Sequence, residues 1–222
     1  PMSYFFPDYT KYNKRILFLL LEKGFVKPDE IFLKQYLQIK PVNQRFSLFG
    51  NKKELYISQT FYYLYPKMKE FLEEKLQKQI EKEISEKYSE TISTFEEKCQ
   101  IGENDSYICS LIRSDSVEDF IIYVNQTNLS LLTKIKPSIY ETNSFLIDKE
   151  PTLIEYAAFF GSIQIIQYLK YNNVPLTFSL WVYTIHSNNA ELIHFLEENE
   201  VKPENIQIIN YFAFNSKKDP FD

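Results

Sequence analysis

Apolar residues in the second half of the chain recur with helical spacing, and the pattern returns 27 residues later. Thr152 begins the string TLIEYAAFFG, and Ser179 begins the matching string SLWVYTIHSN. In each, a Thr or Ser able to cap a helix precedes apolar positions that share one helix face. Gly161 and Asn188, which tolerate a positive φ, close the two strings. The pattern predicts a short helix followed by a tight turn.

A second helix is predicted after each turn, over about 162–171 and about 190–199, each ending at an Asn that shortly precedes a Val. One such helix pair cannot bury both of its apolar faces, so pairs of this kind are expected to stack in arrays. A weaker copy over 113–116 matches 159–162 at an offset of 46. A further copy begins at Tyr211 and is incomplete at Asp222, which leaves its second helix missing.

The string that starts at Thr152 resembles the core motif of ankyrin repeats, T-P-L-H-x-A-A-x-x-G. Ala157, Ala158 and Gly161 match that motif, whereas Leu153 stands where the Pro would be and Glu155 where the His would be. The run over 151–199 resembles the degenerate ankyrin-like repeats that are expanded in protists. The 27-residue step is about six short of the usual ankyrin length. The resemblance therefore implies a short α-solenoid over 106–222 whose projecting hairpins are trimmed to turns.

This resemblance implies a non-enzymatic module that binds another protein, since ankyrin repeats contact partners through their turns and the variable residues before the Gly. Two adjacent phenylalanines there would form an apolar spot in an acidic half of the chain, which is typical of interfaces. Packing that buries one of them is the alternative, and Phe160 is then the expected one because it precedes the turn. The predicted partner-binding residues are Phe159, Phe160, Phe178, His186, Ser187, Arg113 and Ser114.

The first half, 1–105, is predicted as an irregular helical region. Its string LLEKGFVKPD at Leu20 matches FLEENEVKPE at Phe195, which indicates either a divergent repeat or two helices that stop in the same way. After Pro66 a long charged helix is predicted over about 67–98. Its apolar residues are spaced by four, so the apolar stripe turns through about 240°. The helix therefore either breaks near Ser85 or Ser89 or touches several neighbours.

Composition supports a helical, core-forming chain. Of 222 residues, 44% are hydrophobic and 25% charged, with only 4 Gly and 10 Pro, too few for a turn-rich β-sandwich. No apolar run approaches the roughly 20 residues of a membrane span. The 2 cysteines, Cys99 and Cys109, form no C-x-x-C pair, so a reducing, cytoplasmic setting is expected. The fold class predicted is all-α.

Catalytic and metal chemistry have no support in the pattern. His186 and His194 are the only 2 histidines, and their spacing of eight does not make the i,i+4 pair of a zinc helix. The glycines stand singly, so no phosphate-binding loop is present. We expect no enzyme activity, no cofactor and no metal site.

The uneven distribution of charge along the chain keeps a second hypothesis open, binding of nucleic acid. Residues 1–100 hold 17 basic against 14 acidic side chains, whereas 101–222 hold 8 against 16. The basic, aromatic-rich segment 1–66 could therefore bind nucleic acid, with Phe46, Phe49, Lys52 and Lys53 forming a stacking and phosphate-contacting loop. The alternative is that these aromatics build the core of the first domain. At the other end Phe212, Phe214 and Phe221 are expected to cover the last repeat or to mediate self-association.

Overall fold

The computed structural model describes residues 14–28, 37–41 and 53–203, and these residues form two compact units. Of these described residues, the first unit holds those up to Asn104 together with Ser138–Ile147, and the second holds Asp105–Pro137 and those from Asp148 onward. Apart from one pair of five-residue strands, every regular element described is helical. The predicted all-α class is confirmed at that level.

The first unit starts with a helix and a small antiparallel strand pair. Helix α1 spans Lys14–Glu22 and buries Phe18 and Leu21. Strands β1 (Leu37–Pro41) and β2 (Lys53–Ile57) pair in antiparallel register, with Leu37 opposite Ile57. Nothing in the sequence analysis anticipated this pair.

Helix α2, Gln59–Met68, runs through the core of the first unit. Ser58 caps it by accepting a hydrogen bond from the Phe61 amide. Five consecutive residues of α2 are buried, so this helix is covered on all sides. The aromatic residues among them are confirmed as core, because burial leaves their rings no surface for stacking on bases: Phe61, Tyr62, Tyr63 and Tyr65.

The charged stretch over about 67–98 is divided in the structure, so the predicted alternative of a break near Ser85 or Ser89 is confirmed, whereas the outer bounds predicted for the helix are wrong. Residues 67 and 68 still belong to α2, and a 3₁₀ turn, Lys69–Phe71, follows. Helix α3 spans Glu74–Tyr88 and α4 spans Ile92–Ile101. The break lies at Ser89, whose φ of 56° is left-handed. The turning apolar stripe explains the break, because two shorter helices can each aim their stripe at the same core.

A segment from the middle of the chain completes the first unit. Within Ser138–Ile147, Tyr140 is 2% exposed, its ring lies 5.4 Å from that of Phe95, and its hydroxyl donates to Glu90 at 2.8 Å. This excursion lies between the first two helix pairs of the second unit. Its extra residues account for the sequence offset of 46 between the first and second pairs, whereas the offset between the second and third pairs is 27.

Among its described residues, the second unit contains three helix pairs. Each pair has a first helix (α5 Tyr107–Arg113, α7 Leu153–Phe160, α9 Leu180–Ser187) and a second helix (α6 Val117–Thr127, α8 Ile163–Tyr171, α10 Ala190–Glu198). The first helices of neighbouring pairs contact one another, and so do α6 and α8. The bounds predicted for both second helices of the 27-residue copies are confirmed to within a residue.

Both 27-residue copies end their second helix with the same backbone motif. Asn173 and Glu200 adopt positive φ of 62° and 54°, and the next amides, Val174 and Val201, donate back five residues along the chain to Leu169 and Leu196. Both valines are buried. This is the Schellman arrangement with its usual apolar contact.

Helix α1 ends with the same backbone motif as α10, but one aligned position earlier. Its left-handed residue is Gly24, φ 71°, whereas alignment of the two strings would place that residue at Phe25, opposite Glu200. The helix itself is confirmed. The Phe25 amide donates back five residues to Leu20 O, as the Val201 amide does to Leu196 O, so the shared letters produce the same turn displaced by one residue.

Candidate protein-binding surface

The turn inside each helix pair contains a left-handed residue at the same place in the repeat. Asp115, Gly161 and Asn188 have φ of 49°, 73° and 50°. The prediction for Gly161 and Asn188 is confirmed. At Gly161 a Cβ would lie 3.1 Å from Asn189 Nδ2 on the next turn, so the close approach of neighbouring turns also favours glycine.

Hydrogen bonds between turns fix the pairs against one another. The Asp115 carboxylate accepts from the amides of Gln164 and Ile165, at 3.1 and 3.0 Å, and so caps α8 from the preceding pair. The hydroxyl of Ser162, the residue that would ordinarily cap α8, instead donates to Ile112 O at 2.6 Å. Asn189 Nδ2 donates to Gly161 O at 3.2 Å.

At the opposite end of the first helices, Thr152 begins α7 with a capping box. Its hydroxyl accepts from the Glu155 amide, and the Glu155 carboxylate accepts from the Thr152 amide at 2.8 Å. The predicted cap at Ser179 is wrong, because that side chain makes no capping bond. Its hydroxyl donates to Glu155 Oε1 at 2.7 Å and so links α9 to α7.

Four rings form an aromatic row across α7 and α9: Tyr156, Phe160, Phe159 and His186. Successive ring centroids lie 4.8, 5.0 and 5.4 Å apart. Arg113 on α5 extends the row, because its guanidinium donates to the Tyr156 hydroxyl at 3.0 Å. The structure therefore brings together Arg113, Phe159, Phe160 and His186, which the sequence predicted as separate turn positions.

The two phenylalanines are exposed in the opposite order to the one expected. Phe159 is 8% exposed, while Phe160 is half-buried. Phe159 points toward the next pair, where its ring packs on His186, and Phe160 packs back on Tyr156 one turn earlier in its own helix. The expectation that Phe160 would be the buried residue is wrong for this reason.

The remaining predicted residues do not belong to the aromatic row. Ser114 is exposed and donates to the Ser110 carbonyl, and Ser187 is half-buried and donates to the Thr184 carbonyl. Phe178 is 50% exposed but precedes α9, whereas His186 lies near the end of that helix, about 12 Å along its axis. Phe178 is therefore outside the surface that the row defines.

Tyr156 and Lys149 also belong to this surface, and neither was predicted from the sequence. Tyr156 is 1% exposed and connects Arg113 to Phe160. Its repeat equivalent, 27 residues on, is Tyr183, whose ring lies 5.8 Å from Lys149 Nζ. That repeated tyrosine was the signal available in the sequence. Lys149 precedes the repeat, so no repeated position in the sequence indicated it.

Burial and charge shift three pKa values at this surface. Desolvation first, and then the charge of Lys149, lower the pKa of His186, although the residue as a whole is exposed. Desolvation, followed by Glu155, raises the pKa of Tyr183 to about 12. Desolvation also lowers the pKa of Lys149. Near neutral pH the surface therefore presents neutral rings beside cationic nitrogen groups.

The described residues also bear on metal binding and on membrane insertion. Within 14–28, 37–41 and 53–203 no three His, Cys, Asp or Glu side chains are grouped to hold a metal ion, and no helix there is long and apolar enough to cross a membrane. The predictions for Phe46, Phe49, Lys52 and the side chain of Lys53 lie outside the described residues. So do those for Tyr211, Phe212, Phe214 and Phe221.

Comparison with protein-family models, curated proteins and solved structures gives no match to this chain. Assignment of a function therefore depends on the helix pairs and on the surface that their first helices carry.

Proposed function

We propose that the second unit is a short ankyrin-like solenoid and that it serves as a non-enzymatic protein-binding module in the cytoplasm. The proposal draws on the three helix pairs, on the contacts between their first helices and on the shared left-handed turn position. Stacked pairs of this kind build continuous surfaces from corresponding residues of successive repeats.

The aromatic row is the observation that carries the proposal. It combines half-buried Phe160 and exposed His186 with Arg113 at its end. Aromatic and Arg side chains are the residue types enriched at the energetic centres of protein interfaces. Hydrogen bonds between turns hold the row's helices in place, so binding would cost little ordering of the surface.

Affinity capture from the source cell tests this function. The Phe160→Ser plus His186→Ala variant should lose captured protein, whereas the matched variant Gln167→Ala, exposed on α8, should retain it. Phe159 is unsuitable for this purpose because its burial makes unfolding the expected result of a polar substitution.

The nucleic-acid hypothesis makes the opposite prediction. Under that hypothesis the protein captures nucleic acid, and the capture weakens as the salt concentration rises. The Lys52→Glu plus Lys53→Glu variant should then lose the capture, and the Phe160→Ser plus His186→Ala variant should keep it. That result would overturn the proposed function.

A further inference from the structure

The first helix pair differs from the later two at three positions of the repeat. It holds Tyr107, Asp119 and Tyr123 there, of which Tyr107 is 57% exposed, Asp119 is exposed and Tyr123 is half-buried. In the second and third pairs the same positions hold leucine or isoleucine, and all six side chains are buried: Leu153, Ile165, Leu169, Leu180, Leu192 and Leu196. This face of the first pair therefore has polar and aromatic side chains where the later pairs have core.

A fourth position of the repeat is used by the later pairs to contact the pair before them. The Tyr168 ring on α8 lies 6.0 Å from that of Phe120 on α6, and the ring of its equivalent Phe195 on α10 lies 5.4 Å from Lys170 Nζ on α8. The equivalent residue of the first pair is Ile122, which is 52% exposed. Among the described residues of the second unit no pair precedes α5 and α6, so a position that elsewhere packs on a second helix is uncovered.

These positions form one surface, called here the end face: Tyr107, Glu118, Asp119, Ile122 and Tyr123. The rings of Tyr107 and Tyr123 lie 5.2 Å apart. Asp119 and Glu118 precede Ile122 by three and four residues, and residues at those spacings are neighbours on a helix surface. Both carboxylates are exposed, and in the described part of the chain neither forms an ion pair. The end face therefore combines apolar and aromatic side chains with adjacent negative charge.

We infer that the end face binds a basic amphipathic helix of a partner protein, with an apolar side chain on Ile122 and Lys or Arg side chains at Glu118 and Asp119. This goes beyond the proposed function, because it adds a second surface to the aromatic row. Charge complementarity decides the occupant. A second copy of this chain would present second helices that together carry five carboxylates and one lysine, so carboxylates would oppose the end face.

The rings of the end face favour the same partner chemistry. An aromatic face attracts Lys and Arg, and the second unit already has such a contact at the equivalent position, between Lys170 and Phe195. A Lys or Arg side chain lays its methylene stem along apolar surface while its charge reaches a carboxylate. A purely apolar helix, in contrast, would desolvate the two carboxylates without pairing them, which is unfavourable.

The test uses the full chain and three fluorescein-labelled peptides of about 18 residues, long enough to form a helix. Each has Leu along one face, flanked by Lys, Gln or Glu, and binding is read by fluorescence anisotropy at low salt. The Leu–Lys peptide should bind about tenfold more tightly than the Leu–Gln peptide, and the Leu–Glu peptide most weakly. Ile122→Ser should weaken binding of the Leu–Lys peptide. Tyr171→Ser, which removes an exposed ring from α8, should leave it unchanged.

Two matched charge variants separate the end face from the general negative charge of the chain. Glu118→Gln plus Asp119→Asn should remove the preference for the Leu–Lys peptide. Glu191→Gln plus Glu198→Gln removes the same charge from α10, with Glu191 at the repeat position of Glu118, and should keep the preference. Asp119→Glu retains the carboxylate and should also keep it, which guards against misfolding of the neutral variant.

Several results would overturn the inference. Binding of none of the peptides, equal binding of the Leu–Lys and Leu–Gln peptides, or the same preference in both charge variants would each do so. Loss of peptide binding in Phe160→Ser would move the site to the aromatic row. A dimer in analytical ultracentrifugation that dissociates in Ile122→Ser would assign the end face to a second copy. Failure of the proposed function is distinguishable, because capture that survives Phe160→Ser plus His186→Ala leaves the peptide result standing.

Discussion

Removing the Asp115 side chain tests whether the helix pairs stabilise one another through their turns. Asp115→Ala deletes the cap of α8, worth about 1 kcal/mol, together with a negative charge at a helix N-terminus, worth about 0.3–1 kcal/mol. It also leaves alanine at a φ of 49°, which costs about 1 kcal/mol. We therefore expect the free energy of unfolding of the second unit to fall by about 2–3 kcal/mol.

Three further variants separate these contributions. Asp115→Asn keeps a capping oxygen and a residue suited to positive φ, so it should cost only about 0.5 kcal/mol, the charge term. Asp115→Gly keeps the backbone preference but loses both the cap and the charge, so it should cost about 1.3–2 kcal/mol. Asn173→Ala, at a φ of 62° beyond the end of α8, measures the backbone cost alone.

Urea unfolding followed by tryptophan fluorescence is the suitable assay. The chain has 1 Trp, Trp181, which lies on α9 in the second unit. Its indole donates to Val201 O at 2.7 Å within the third pair, so its emission should change when that pair unfolds. The slope of the unfolding free energy against urea concentration should be the same in all variants. A cost below about 0.5 kcal/mol for both Asp115→Ala and Asp115→Gly would refute the stabilising role of this turn.

Three other predictions concern buried and shifted groups. The Thr184 hydroxyl is buried without a hydrogen-bond partner among the described residues, so Thr184→Val should raise stability in the same fluorescence assay by about 1 kcal/mol, and a loss would contradict this. The lowered pKa of His186 predicts an NMR titration midpoint below about 6.5, and Lys149→Gln should shift that midpoint upward. Because the unfolded chain binds this proton more readily than the native protein, the second unit should lose stability as the pH falls below about 6.5. Cys99 and Cys109 are 0% exposed, and burial raises the pKa of the Cys99 thiol. Both thiols should therefore be alkylated about a hundredfold faster in urea than in the native protein. Equal rates would show that the thiols are accessible in the native protein.

The repeat could be predicted from the sequence because its signals are local. Positive φ favours Gly, Asn or Asp at the turn, and a Thr with Glu three residues later marks a helix start. These constraints act within a few residues of each other. Gly161, Asn188 and Thr152 therefore revealed both the turns and the first helix of the central pair before any packing was known.

Other features depended on contacts between distant residues. No local signal indicates that Tyr140 packs in the first unit beside Phe95. The burial of Phe159 depends on His186 of the next pair, and Asp115 caps a helix that begins 48 positions further on, at Ile163. Periodicity can show that a residue faces the core. It cannot show which of two adjacent aromatic rings the neighbouring repeat covers.

Photocrosslinking tests the central claim, a protein-binding surface on the first helices, most directly. Benzoylphenylalanine placed at Phe160 would sample that surface, and the same group at Gln167, exposed on α8, would sample the second helices. Irradiation in the source cell should join a partner protein to the chain labelled at 160 and not to the chain labelled at 167. Crosslinks to protein from position 167 alone, or to nucleic acid alone from position 160, would contradict the account.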